Sequence, residues 1–414
     1  MSVTPSQPRI VAFLAAEALS AIGSWASLIA IWGYAAFRFD AGPTDLSLFG
    51  IAFGLPALLL GPVAGLAVDR FGPKATLAFA KVVGIAASLL LLTADTFTAL
   101  AMLSALHGLA STFSHPAIQA MPPRLVDDEH LARTNALVSL TDEVAIVLGP
   151  VAAGIAIAAT TFEGAFVLDA ITYAIGLVAL PLVKLRPTDS PDDTTSENAA
   201  PTIAILDGWR RIRRVLVLRR TIGCTMLLHL LYGAALLVEP LYIRDVLGRS
   251  EDVFAALQTI FGVALVAGGL IVARMGERLV GFSVVAAGVV GSAVAAVIYL
   301  ATPWLVVAVA GVIAWGGATA LLGGPSRTVI QRAAPEHEHG RVLAADLVAG
   351  SGAEVLGVAT LGFLIEAVRL RTSVVLLGTF VACGAALLAL ADRRESTSAP
   401  PENATNGRSA RHSP

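Results

Sequence analysis

Apolar blocks long enough to cross a bilayer constrain this chain more than any other feature. One helix crosses a bilayer's hydrocarbon core with about 20 mostly apolar residues. Blocks of that length lie near residues 11–37, 46–68, 75–93, 97–121, 135–159, 163–184, 220–243, 253–274, 279–300, 303–329, 342–367 and 373–391, which makes twelve. Strands rarely exceed about 10 residues, and backbone facing lipid must satisfy its own hydrogen bonds, so blocks this long form helices. Composition agrees. Only 14% of the residues are charged, against roughly 25% in soluble domains. The expected fold is an all-α membrane protein of twelve transmembrane helices.

The placement of charge then orients the chain. Twelve crossings put both termini on one side. Of the 28 lysines and arginines, only Arg38, Arg244, Arg249, Arg369 and Arg371 fall on the other face; the rest, Lys81 included, lie in segments or helix ends on the terminal side. Basic residues collect in loops that stay in the cytoplasm. Both termini are therefore expected to be cytoplasmic, with the chain in a bacterial inner membrane. Cys224 and Cys383 fall inside spans and read as small packing residues, with neither disulfide nor metal-ligand spacing. The N-terminus lacks a basic region followed by a short apolar stretch and a small-residue cleavage site, so the first helix is expected to act as an uncleaved insertion signal.

Four regions follow: an N-terminal six-helix bundle (1–186), a linker with an amphipathic helix (187–219), a C-terminal six-helix bundle (220–391) and a polar tail (392–414). The linker opens with PTDSPDDTTSENAAPT, whose composition predicts flexibility. Behind it, Ile205, Trp209, Ile212 and Leu216 recur at helical spacing while Arg210, Arg211, Arg213 and Arg214 face elsewhere. That pattern predicts a helix lying on the membrane surface. The two bundles look related. Arg133, Leu148, Gly149 and Gly154 recur as Arg341, Leu356, Gly357 and Gly362 at an offset of 208, and Gly108 and Pro116 as Gly317 and Pro325 at 209. Six spans, a linker and six related spans of the same orientation is the parallel-repeat plan of secondary transporters.

Between the second and third spans stands GLAVDRFGPK, residues 65–74. Gly65 would let two helices approach, Gly72 and Pro73 would make the turn, and Asp69 would sit well near a helix N-terminus. With Arg70 and Lys74, this stretch resembles the signature of the major facilitator superfamily at that loop. In that family the aspartate contacts the start of span eleven and latches the outward-open state. The resemblance thus implies a latch of Gly65, Asp69, Arg70, Gly72 and Lys74 closing on Arg341. LGPVAAG, residues 148–154, resembles the Gly-Pro helix motif of the superfamily's antiporters in Gly149, Pro150 and Gly154, which implies export. PPRLVDDEHLARTNALVSLTDEVAIVLGP, QRAAPEHEHGRVLAADLVAG and ILDGWRRIRR are similar to segments of the bacterial drug and siderophore exporters, the enterobactin-exporter and macrolide-efflux branch.

No Gly-rich phosphate loop ending in Lys and Ser/Thr is present, so an ion gradient or the substrate's own gradient must drive transport. Ionisable residues inside membranes are costly and mark pathways. The proton-coupling candidates are Glu17, Asp142, Glu143, Glu354, His107 and His115, with Asp169 and Glu239 expected to cap or pair. Trp25, Trp32 and Phe53 are candidates to line a substrate cavity. The expected function is export of a small amphipathic compound (a drug, siderophore or other secondary metabolite) by proton antiport. An importer or facilitator of the same fold is the alternative. A membrane enzyme or sensor is less favoured, since neither His-Glu-x-x-His, Gly-x-Ser-x-Gly nor a sizeable soluble domain is present. The expected partners are a small-molecule substrate, protons and the bilayer, with no cofactor, metal or nucleic acid, and the chain is expected to be a monomer.

Overall fold

The computed structural model describes residues 8–185, 201–335 and 338–398. Among them stand twelve helices long and apolar enough to span a membrane: α1 Pro8–Arg38, α2 Pro43–Phe71, α3 Pro73–Leu91, α4 Phe97–Gln119, α5 Leu140–Ala159, α6 Phe162–Leu182, α7 Leu216–Val246, α8 Glu251–Met275, α9 Phe282–Leu300, α10 Leu305–Ala333, α11 Arg341–Val368 and α12 Leu370–Asp392. They match the twelve expected spans, and there are no strands among the described residues. The helix carrying α5 starts earlier, at Asp128. Local chemistry sets the boundaries. Pro43 and Pro73 occupy first-turn positions, where a missing N–H costs nothing. Thr96 caps α4 by accepting a hydrogen bond from the Ala99 N–H at 3.1 Å. Between α2 and α3, Gly72 adopts a φ of +83°, which only glycine takes without strain.

The two halves are related by a repeat that glycine contacts make visible. Lipid gives helices no hydrophobic reason to associate, so small residues that permit close backbone approach carry the packing. Gly108 backs onto the Phe53 carbonyl, and Gly316 onto that of Phe261. Gly54 meets Val355 while Gly262 meets Val147 and Val151. Gly149 packs on Trp25 of α1, and Gly357 on Leu230 and Ala234 of α7. Gly154 packs on Ala255 and Thr259 of α8, and Gly362 on Pro43 and Ser47 of α2. All four pairs share the offset of 208. The partner of Gly108 is therefore Gly316 and not Gly317, which faces open space.

The last of these contacts also join the halves, α5 to α8 and α11 to α2. They cluster toward the face away from the chain ends, called here the distal face. There Arg244 pairs with Asp40 at 2.9 Å and donates to the carbonyls of Ala36 and Ala41. Thr44 bonds to Glu366, and Phe254 meets Phe37 and Phe162 at ring-centroid distances of 6.0 and 6.2 Å. Toward the terminal face the halves part. A Cβ at Gly61 or Gly65 of α2, or at Gly352 of α11, would meet no other helix within 4 Å. The molecule is sealed distally and open on the side of its chain ends.

The amphipathic segment is a helix, Pro201–Arg214, ahead of α7. Its stripe does not face lipid alone. Ile212 is buried among Leu218, Ile222, Ile330 and Val342, Gly208 abuts the Arg341 carbonyl, and Arg211 pairs with Glu338 at 3.1 Å. The apolar face that sequence assigned to the membrane surface is used to dock on the C-terminal half. Residues 187–200 of the linker and 399–414 of the tail lie outside the described residues.

Candidate functional site

On α1, Glu17, Ser20, Ser24 and Ser27 recur at helical spacing as a polar stripe inside an apolar helix. On α3, Lys81, Gly84 and Ser88 do the same. The two stripes meet. Lys81 Nζ donates to Glu17 Oε2 at 2.7 Å and to Ser20 Oγ at 2.9 Å, with both charged side chains at most 3% exposed. The ammonium also lies 5.4 Å from the Tyr173 ring centroid. Gly176 of α6 leaves room for the pair: a Cβ there would sit 3.2–3.3 Å from the Lys81 side chain and from Glu17 Oε1. Lys81 therefore does not belong among the loop charges of the terminal side. It lies some eight residues, about 12 Å, inside α3, where only a buried partner makes an ammonium tolerable.

A second buried pair lies about two turns further in. His107 Nε2 is 2.7 Å from Asp169 Oδ2. The same carboxylate accepts from Ser88 Oγ at 2.7 Å and Ser24 Oγ at 3.2 Å. Asp169 is fully buried and tied to three other helices, α1, α3 and α4. Asp169 does pair, as the sequence suggested.

Beside these pairs opens a cavity of about 200 Å³. Glu17, Ser24, Trp25 and Lys81 form its inner wall, Tyr173 stands behind them, and His115, Asp142 and Gln119 continue it toward the terminal face. All of its lining residues come from the N-terminal half. Two of its buried polar atoms, Glu17 Oε1 and Ser114 Oγ, have no hydrogen-bond partner.

Of the coupling candidates, Glu17, His115 and Asp142 meet in this cavity. His107 does not line it and is held by Asp169. Glu354 lies in the other half, its backbone against Gly233, with His229 as its charged neighbour. The Glu143 side chain lies outside the described residues. Of the cavity aromatics, only Trp25 lines the wall. Trp32 is 3% exposed and packs edge-on against Phe49 at 5.1 Å. Phe53 is taken up against Gly108. Trp32 is a packing residue, held at the close α1–α2 contact, and the partly buried Phe53 does not line the cavity.

In the α2–α3 loop, Lys74 donates to the Val183 carbonyl at 2.8 Å, satisfying the end of α6, and Arg70 stands over the Phe71 ring at 5.6 Å. Asp69 is exposed and has neither ion pair nor hydrogen bond among the described residues. It does not touch Arg341, and Gly65 backs onto nothing. With the terminal face parted, the two sides of the expected latch stand apart. In α5, Pro150 lies inside a continuous helix between Gly149 and Gly154, whose contacts to α1 and α8 are described above.

Sequence reasoning missed Lys81. The signal was its place on one helical face with Gly84 and Ser88, opposite a carboxylate on α1.

A membrane bundle of two six-helix repeats, sealed on one side and holding a charged cavity at mid-depth, defines a secondary transporter by its architecture. The chain matches the Major Facilitator Superfamily over residues 13–248 and 221–413, and it belongs to that family. It is 25% identical over 400 residues to the uncharacterized MFS-type transporter YfiS of Bacillus subtilis (strain 168), covering 92% of this chain and 91% of that protein. Its fold is similar to that of a bacterial homologue of the human lysosomal transporter Spinster in an inward-facing, unoccupied conformation, with a TM-score of 0.71 at 15% identity over 96% of this chain and 100% of the other. A POT family transporter in complex with a thioalcohol-conjugated peptide gives 0.69 at 14% identity over 92% and 96%. The nucleoside transporter NupG gives 0.66 at 12% identity over 93% and 99%.

Proposed function

We propose that this transporter exports a small amphipathic compound from the bacterial cytoplasm by proton antiport, with both termini in the cytoplasm. The observation that carries the reading is the cavity of the N-terminal half. It opens toward the arginine-rich terminal face, and Glu17, Lys81, His115 and Asp142 line it. A compound enters from the cytoplasmic side, the halves rock about the cavity, and the distal contacts part. Proton binding biases that exchange only as far as it favours one state over the other. The carboxylates that line the cavity, Glu17 and Asp142, are the groups assigned to that proton.

In the outward-open state the terminal face closes and Asp69 meets the start of α11 near Arg341. The likeness of the Gly-Pro segment of α5 to the antiporter motif supports export, and its Gly149 and Gly154 place α5 against both α1 and α8 and so couple the cavity wall to the other half.

Everted and right-side-out vesicles from cells overproducing the chain test the direction. Energised everted vesicles are expected to accumulate compounds from an amphipathic panel, with collapse of the proton gradient abolishing uptake. Accumulation by right-side-out vesicles alone would contradict export, and accumulation indifferent to the gradient would contradict antiport.

A further inference from the structure

We infer that the cavity is built for an organic cation, a protonated amine carried on a small apolar body. The inference rests on the transport reading and names the chemistry of its ligand. It follows from which hydrogen-bonding capacities of the wall are spent and which are free.

The lysine is spent. Lys81 Nζ has three donors; two go to Glu17 Oε2 and Ser20 Oγ, and the ammonium also faces the Tyr173 ring. The acceptors are not. Glu17 has a side chain 1% exposed, yet its Oε1 has no hydrogen-bond partner and the residue lines the cavity. A buried, unpartnered carboxylate oxygen is expensive, because burial removes water without a replacement. Across the cavity, the half-buried Asp142 has no hydrogen bond among the described residues. The titratable and charged groups that face it are His115 on α4 and Arg327 on α10, and Arg327 also bears on Asp346. Ser114 Oγ, on the same wall, is unpartnered as well.

A site rich in unused acceptors and without an uncommitted lysine takes a ligand that brings donors and positive charge. An ammonium does both, and its hydrogen bonds to carboxylates are of the strong, charge-assisted kind. A carboxylate or catecholate ligand would meet Glu17 and Asp142 as like charges, so the wall rejects anions as it accepts cations. Trp25 and Ile118 supply the apolar part of the lining. The volume of about 200 Å³ is smaller than the roughly 300–1,000 Å³ of drug-sized pockets, which fits a small amine or the amine-bearing end of a larger compound.

A matched series on one scaffold tests this with the purified full chain in detergent, by calorimetry at neutral pH. Tryptamine carries the ammonium, tryptophol replaces it by a hydroxyl, and indoleacetate by a carboxylate. Tryptamine is expected to bind about tenfold tighter than tryptophol, with indoleacetate weaker still, since one charge-assisted bond is worth about a factor of ten or more. Asp142→Asn, which breaks no existing hydrogen bond, and the double variant Glu17→Gln with Lys81→Met, which leaves no orphaned charge, are each expected to lower tryptamine affinity about tenfold and to leave tryptophol within about twofold. Tryptophol or indoleacetate binding as tightly as tryptamine, no binding of all three, or unchanged tryptamine affinity in both variants would overturn the inference. If tryptamine binds as expected but proteoliposomes do not move it against a proton gradient, export fails while the cation site stands. If only uncharged or anionic compounds are exported, the reverse holds.

Discussion

The two halves of this transporter share a backbone plan and differ in what they bury. At the offset that pairs Gly108 with Gly316 and Gly154 with Gly362, the C-terminal counterparts of Glu17, Lys81, His107 and Asp169 are Thr225, Val289, Trp315 and Leu377. The N-terminal half thus holds a buried Lys–Glu ion pair and a buried His–Asp contact, and the corresponding places in the other half are apolar or neutral. The C-terminal half has its own ion pair near the terminal face, the buried Arg220 with Asp392 at 2.8 Å, while its carboxylates Glu239 and Asp346 are met by neutral donors. Glu239 accepts from Tyr299 Oη at 2.6 Å and from Gln258 Nε2 at 2.9 Å, and Asp346 accepts from Thr225 Oγ1 at 2.8 Å. Small-residue contacts can be copied without cost because they serve packing in both halves. Buried charge pairs are harder to copy, because each buried charge without a partner is a burden. The duplication preserved the scaffold, and the residues that line the cavity all belong to the N-terminal half.

The largest effect expected from this contrast is at the ion pair. Lys81→Met alone leaves the Glu17 carboxylate buried and unpaired and should destabilise the protein by about 3–5 kcal/mol, whereas Lys81→Met with Glu17→Gln should recover most of that loss. Thermal unfolding in detergent reads the difference. Equal losses in the single and double variants would show that the pair is not what makes the lysine tolerable.

Next comes the comparison across halves. Asp169→Asn weakens bonds to a histidine and two serines and should cost about 1.5–3 kcal/mol, while Glu239→Gln, whose partners are neutral, should cost about 0.5–1.5 kcal/mol. The reverse order in unfolding experiments would break the distinction between a charged and a neutral interior.

The shared scaffold predicts equality. Gly154→Val and Gly362→Val overpack matched contacts at the distal seal, each by about 1–3 kcal/mol against the sealed state. Spectroscopic distances across that face should lengthen alike in both. A response in one alone would mean that the repeat is not mechanically symmetric. Smallest is Asp69→Asn, where an exposed, unpaired group in this state predicts a stability change within about 0.5 kcal/mol. A larger change would place Asp69 in a contact already formed.

The twelve spans and the repeat were legible because lipid forces helices of one length and because glycine contacts leave a spacing. The cavity was legible only in part. Glu17 and Asp142 stood out as charges inside apolar runs, and Asp169 as a group expected to pair. Lys81 was hidden because a lysine about two turns from a helix start looks like a loop charge, and only the register of α3 against α1 shows otherwise. Trp32 and Phe53 misled because an aromatic on an apolar helix has the same sequence signature whether it packs or lines a cavity. Gly317 misled by one position, since adjacent glycines, Gly316 and Gly317, match a repeat equally well until a neighbour's carbonyl chooses between them.

The account rests on a charged cavity in the N-terminal half that is reached from the terminal face. Ser111→Cys, in a chain carrying Cys224→Ala and Cys383→Ala, places a single thiol in the cavity wall. On the proposed orientation everted vesicles turn the terminal face outward, so there a membrane-impermeant maleimide is predicted to label it rapidly, and an exported compound to slow that labelling. Faster labelling in right-side-out vesicles, or labelling that no exported compound slows, would contradict the account.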